Sequence, residues 1–155
     1  MTDLMGEFPG PTPQLVVDDA SRAVDFYRTA FAADELVRTH APDGRIMHCE
    51  LLVHGGRLLV IDDFDDDPAT APTRLGGTTV RLHLYVPDAD AVFDRALTAG
   101  ARAIMEPSDA FWGERYAIVE DPFGHQWSIA TPNEAVSVSE LEERAITWSR
   151  DRDDA

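Results

Sequence analysis

Apolar and polar positions along the chain change period in a pattern that occurs twice. A short apolar run, Leu15-Val-Val17, stops at Asp18-Asp19 and is followed by an amphipathic stretch reaching Ala32. The same order of events runs from Leu84 to Ala101. At a shift of 69 residues, eight of 18 positions are identical: Leu15/Leu84, Val17/Val86, Asp19/Asp88, Ala20/Ala89, Asp25/Asp94, Thr29/Thr98, Ala30/Ala99 and Ala32/Ala101. Each copy reads as a buried strand, an Asp placed to cap, and a helix with one apolar face.

The two halves continue alike. Glu35–His40, Arg45–Val53 and Arg57–Asp62 are β-like runs separated by Pro42-Asp-Gly44 and Gly55-Gly56, residues that favour tight turns. After the second helix come Ala101–Met105, Arg115–Glu120 and Gln126–Ala130, with Asp121-Pro-Phe-Gly124 as the matching turn. The segments Gly56–Ile61 and Gly124–Ile129 align at a shift of 68. The expected class is therefore α+β, with two tandem βαβββ modules over residues 12–63 and 79–131. An N-terminal extension (1–11) precedes them. Between them, residues 64–78 read as an acidic, Pro- and Gly-bearing linker. Asp62, Asp63, Asp65, Asp66 and Asp67 lack the spacing of a calcium loop and suit a solvated connection. Residues 132–155 form a final helix and tail. Ser139-Glu-Leu-Glu142 predicts the helix start through a capping box, and fraying is expected from Arg150 onward.

Charge narrows the partners. The 155 residues carry a formal net charge of −16, and all 13 basic residues are Arg. Such a surface repels phosphate backbones and anionic lipid, which argues against nucleic-acid and membrane binding. The single cysteine, Cys49, excludes an intramolecular disulfide and a thiolate metal cluster. Its neighbour His48 points to the opposite face of the same strand, so the two make no catalytic dyad. Residues 1–12 lack a basic n-region and an apolar h-region, and no apolar run reaches bilayer length. A cytoplasmic protein is expected.

The tandem βαβββ pattern, with Val17-Asp-Asp-Ala20, Asp25-Phe-Tyr27, His83-Leu-Tyr-Val86, Phe111-Trp-Gly-Glu-Arg115 and Asp121-Pro-Phe-Gly-His-Gln-Trp127, resembles the vicinal oxygen chelate superfamily. That group includes glyoxalase, bleomycin-resistance, fosfomycin-resistance and dioxygenase proteins. The combination looks like its PhnB-like branch. The resemblance covers residues 10–131 and implies modules curled into a mixed sheet around a cavity, and a homodimer.

In enzymes of the family, four side chains from the first and last strands of the two modules chelate one divalent ion. The resemblance carries these seats to Thr12, Val60, Arg81 and Ser128. Val has no donor atom and Arg cannot shed its charge, so the standard metal centre is not expected and no cofactor is assigned. A displaced centre is the alternative. His48 and Glu50 share a strand face, and His83 shares one with Arg81.

Strand alternation sends Thr12, Gln14, Arg81, His83, Tyr85, Gln126 and Ser128 toward the cavity, with His48 and Glu50 in its wall and Trp112 at its rim. Such a lining suits a planar or amide-rich organic molecule, and Arg81 could hold an anionic group. Arg81 is otherwise expected to pair with Glu50 or an acidic loop residue. Trp127 is expected in the core and His125 in the turn. The expected function is therefore binding or sequestration of a small organic molecule, a drug or natural product, in a metal-free cavity. The alternative is a metal-dependent lyase, isomerase or dioxygenase built on His48, Glu50 and His83. A metal-free acid/base catalyst with His83 or Glu50 as base is a third reading.

Overall fold

Two aspartates set where the long helices begin. In the computed structural model, which describes residues 10–153, the Asp19 carboxylate accepts from Arg22 N and that of Asp88 from Ala91 N, each at 3.0 Å. These bonds satisfy helix-start donors that have no partner inside the helix. Helices α1 (Ala20–Phe31) and α3 (Ala89–Ala99) follow. Each start is held a second time by the last strand of its own module. Ala20 N donates to Asp62 Oδ1 and Ala89 N to Thr131 Oγ1, both at 2.8 Å.

Strands β1 (Gln14–Val17), β2 (Asp34–His40), β3 (Ile46–Val53) and β4 (Gly56–Asp62) form one sheet in the order β1-β4-β3-β2. Strands β5 (Arg81–Tyr85), β6 (Arg102–Asp109), β7 (Glu114–Glu120) and β8 (Gln126–Pro132) form a second in the order β5-β8-β7-β6. In each sheet the first and last strands pair in parallel and the others are antiparallel. The class is α+β with two tandem βαβββ modules, as the repeat predicts. The connection between them is not wholly irregular: it carries the one-turn helix α2 (Pro72–Leu75).

Both helices lie on the same buried side of the structure. Helix α1 packs against α3, and residues of both modules share one core. Tyr27 and Phe31 of α1 meet Trp127 of β8 at ring distances of 5.3 and 4.6 Å. At this seam the buried Asp121 carboxylate accepts from Tyr27 Oη (2.7 Å), Trp127 Nε1 (3.0 Å), Phe123 N (3.0 Å) and His125 N (2.9 Å). Four donors on one carboxylate tie the turn before β8 to the helix of the other module. Burial nevertheless raises the Asp121 pKa, opposed by those hydrogen bonds.

Register corrects one alignment. Gln14 pairs with Leu59 and His83 with Ser128, so the shift of 69 that relates β1 to β5 also relates β4 to β8. The turn glycines agree: Gly55 has φ 85° and Gly124 has φ 86°. The residue equivalent to Ser128 is thus Leu59, not Val60. A slip of one position reverses the face of a strand residue. Val60 accordingly lies fully buried in the helix-side core.

The last helix, α4 (Val138–Asp153), starts two residues earlier than Ser139-Glu-Leu-Glu142 predicts. Ser137 is the capping residue: Ser137 N donates to Glu140 Oε2 at 3.0 Å, and Glu140 N to Ser137 Oγ at 3.3 Å. Helix continues through Asp153 rather than fraying at Arg150. Arg150 and Arg152 suit the negative end of the helix dipole, and the Arg152 guanidinium lies 4.7 Å from the Trp148 ring centre. Residues 1–9 of the expected N-terminal extension and the last two of the tail lie outside the described residues. No described helix is long and apolar enough to cross a membrane.

Candidate functional site

Each sheet has one face against the helices and one open face, and the register lays the open faces out in rows. Across the second sheet runs the row His83, Ser128, Ile118, Met105, flanked by Tyr85, Ala130, Tyr116, Ser108 and by Arg81, Gln126, Glu120, Arg102. The matching row of the first sheet is Gln14, Leu59, Glu50, Val37.

Aromatic side chains gather on the open face of the second sheet. His83 meets Tyr85 edge-on at 4.5 Å and lies near-parallel to Tyr116 at 6.1 Å. Trp112, on the turn before β7, meets Tyr116 edge-on at 5.1 Å. Phe111 continues the chain of rings to Trp148 of α4. Polar groups hold the rings in place. Trp112 Nε1 donates to Glu114 Oε2 at 2.7 Å, and the same carboxylate beside Tyr85 raises the pKa of its hydroxyl. His83 Nδ1 lies 2.7 Å from Ser128 Oγ, with the Leu82 carbonyl 3.4 Å from that oxygen. Tyr85 is 58 % exposed, which is large for a tyrosine in a strand and leaves its ring available to stack.

A cleft of about 860 Å³ lies where β1 and the β3–β4 turn face β5. Thr12, Gln14, Arg81 and His83, all expected at the site, line it, and so does Arg57. The expected site is thus divided. Tyr85, Trp112, Gln126 and Ser128 belong to the open face of the second sheet, and His83 belongs to both places. His48 and Glu50 stand on the first sheet.

Two expected pairings are corrected. Among the described residues Arg81 pairs with neither Glu50 nor a loop acid; its Nη2 and Nε donate to Gln126 Oε1 at 3.1 and 3.4 Å. Glu50 is instead ion-paired with Arg57, two strand positions before Leu59 on the same face. His125 closes the turn before β8, as expected. It is buried, and its Nε2 donates to the Val16 carbonyl at 3.1 Å. Trp127 lies in the core as alternation predicts.

The donor set at the chelating positions does not suit a divalent ion. With the register corrected, these are Thr12, Leu59, Arg81 and Ser128. Two hydroxyls, an alkyl group and a guanidinium supply neither imidazole nor carboxylate. The displaced trio is not assembled within one chain: Glu50 is spent on Arg57, and His83 stands on the other sheet bonded to Ser128. Among the described residues no three His, Cys, Asp or Glu are grouped to hold an ion.

Sequence reasoning missed Tyr116, Glu114 and Arg57. Alternation along the third strand of each module would have found Tyr116, and the correct register would have found Arg57. The link from Glu114 to Trp112 and Tyr85 has no signature in the sequence.

The model of the Glyoxalase/Bleomycin resistance protein/Dioxygenase superfamily matches residues 11–129. An uncharacterised protein of Mycobacterium tuberculosis is 45 % identical over 137 residues, covering 86 % of this chain and 81 % of that one. A solved structure of TioX from Micromonospora sp. ML1 superposes with a TM-score of 0.64 at 31 % identity, covering 79 % of this chain and 98 % of that one. A gene product of Arabidopsis thaliana gives 0.63 at 30 % identity, covering 80 % and 99 %. The fosfomycin resistance protein FosX of Listeria monocytogenes gives 0.62 at 15 % identity over 87 % and 99 %, a likeness of fold alone.

Proposed function

The chain belongs to the glyoxalase/bleomycin resistance protein/dioxygenase superfamily, and we propose that it binds a small, planar organic molecule, a drug or natural product, on the open face of its second sheet without a metal ion. The observation that carries this reading is the wall of His83, Tyr85, Tyr116 and Trp112 around the Ser128 hydroxyl, beside chelating positions that hold neither imidazole nor carboxylate. Stacking on each ring contributes about 0.5–1.5 kcal/mol beyond burial, enough for several rings to retain a flat ligand. The His83 imidazole, held at its angle by the Ser128 hydroxyl, orients it through a hydrogen bond.

A second copy of the chain closes the site in this reading. Tyr85 and Met105, 58 % and 43 % exposed, stand on the open face, where a second subunit would cover them. The cell compartment proposed is the cytoplasm.

The neutral fluorophore N-phenyl-1-naphthylamine tests the reading. It should bind saturably to protein treated with EDTA as well as to untreated protein, and Tyr116→Ala should weaken that binding about tenfold. Binding that requires a stoichiometric divalent ion, or that ignores Tyr116, overturns it.

A further inference from the structure

The cleft between β1 and β5 differs in charge from the rest of the molecule. The chain has 29 acidic residues and a net charge of −16, yet among the described residues no Asp or Glu lines this cleft. Its charged lining groups are the guanidinium groups of Arg57 and Arg81. Thr12 and Gln14 add neutral hydrogen-bond donors.

The two arginines are not equally committed. Arg57 faces the Glu50 carboxylate, which offsets its charge. Arg81 donates only to the neutral amide oxygen of Gln126, at 3.1 and 3.4 Å, and no carboxylate lies within ion-pair distance of it among the described residues. Among the described residues one net positive charge therefore faces the cleft. A guanidinium with unused N–H groups next to further donors is suited to the planar oxygens of a carboxylate or the oxygens of a sulfonate or phosphate.

His83 joins the cleft to the aromatic wall: it lines the cleft and also packs on Tyr85 and Tyr116. Resting on the function proposed above, we infer that the ligand is an aromatic anion. Its rings lie on the wall, and its acidic group reaches into the cleft to Arg81, with Arg57 as the second cation. Arg81 thus stands at a chelating position and binds the opposite charge from a metal's: an anion on the ligand rather than a cation between side chains. The acidic surroundings make the site selective, because an anion gains there only where a guanidinium is within contact distance.

Two dyes of nearly the same ring system separate this inference from the one beneath it. 8-Anilinonaphthalene-1-sulfonate carries a sulfonate; N-phenyl-1-naphthylamine does not. Arg81→Gln should weaken the sulfonate dye about tenfold and leave the neutral dye within about twofold, since a charge-assisted contact is lost and the rings are untouched. Glu50→Gln frees the charge of Arg57 and should tighten the sulfonate dye several-fold, an effect opposite in sign to that of a damaged fold. Added salt should shrink both effects. If Arg81→Gln leaves the sulfonate dye unchanged, or weakens both dyes equally, the anion anchor is wrong. Should the neutral dye still bind and depend on Tyr116, the aromatic site survives without the anchor. If neither dye binds, both proposals fail together.

Discussion

His83 Nδ1 stands 2.7 Å from Ser128 Oγ, on residues that face each other across the parallel pair β5 and β8. Ser128 occupies a chelating position, and its hydroxyl is used to set the angle of an imidazole. With the Ser128 proton aimed at the Leu82 carbonyl, Nδ1 is the donor and His83 Nε2 is left to accept from a ligand. Ser128→Ala is expected to weaken binding of N-phenyl-1-naphthylamine about fivefold, roughly the 1 kcal/mol of one orienting hydrogen bond. A fluorescence titration checks this, and unaltered binding would show that the pair is structural only.

The seam between the modules makes the fold sensitive to alkali. Burial, then the neighbouring Asp121 charge and hydrogen bond, raise the Tyr27 pKa well above the usual tyrosine value. Above pH about 10 the unfolded chain releases this proton while the folded chain keeps it, so stability falls as pH rises, by at most about 1.4 kcal/mol per pH unit for one proton. Urea unfolding at pH 9, 10 and 11 should show this decline. Tyr27→Phe should remove the tyrosine's share of it, at the cost of one donor to Asp121.

Pseudo-symmetric glycines should not tolerate substitution equally. Gly55 and Gly124 share the left-handed conformation. A Cβ at Gly55 would meet nothing within 4 Å, whereas at Gly124 it would come within 2.8 Å of Pro72 Cβ on α2. Gly55→Ala should destabilise by about 1 kcal/mol, the conformational term alone. Gly124→Ala should cost about 2–3 kcal/mol, because a packed contact must also move. Thermal unfolding of the two variants side by side measures the difference.

The repeat made the fold legible because both copies use the same means at the same places. Asp19 and Asp88 cap, and Ala20 and Ala89 leave room for the helix to sit on its sheet. The candidate site was legible only in part. Alternation placed His83, Tyr85 and Ser128 on one face, since that follows from strand geometry alone. It misassigned Val60 because its sequence alignment slipped by one residue, and pairing rather than similarity decides the face. The partners of Arg81 and Glu50 were not legible at all. Which group an arginine meets depends on reach across strands, and this chain has 29 acidic residues for 13 arginines.

Cys49 should behave as an inert thiol. It is fully buried in the core, and burial, more than the nearby Glu35 charge, pushes its pKa up to about 11. Ellman's reagent at pH 8 should react with the native protein only at the rate of its unfolding, and stoichiometrically in urea. Rapid native reaction would contradict the burial.

A direct test of a metal-free aromatic site uses Trp112 as the reporter. Trp127 lies in the core and Trp148 on α4, so the double variant Trp127→Phe/Trp148→Phe leaves one tryptophan, at the wall itself. Titrating N-phenyl-1-naphthylamine into this protein should quench Trp112 emission saturably, and with the same affinity in the presence of EDTA. Dye binding that leaves Trp112 emission unchanged, or quenching that vanishes when divalent ions are removed, would contradict the account.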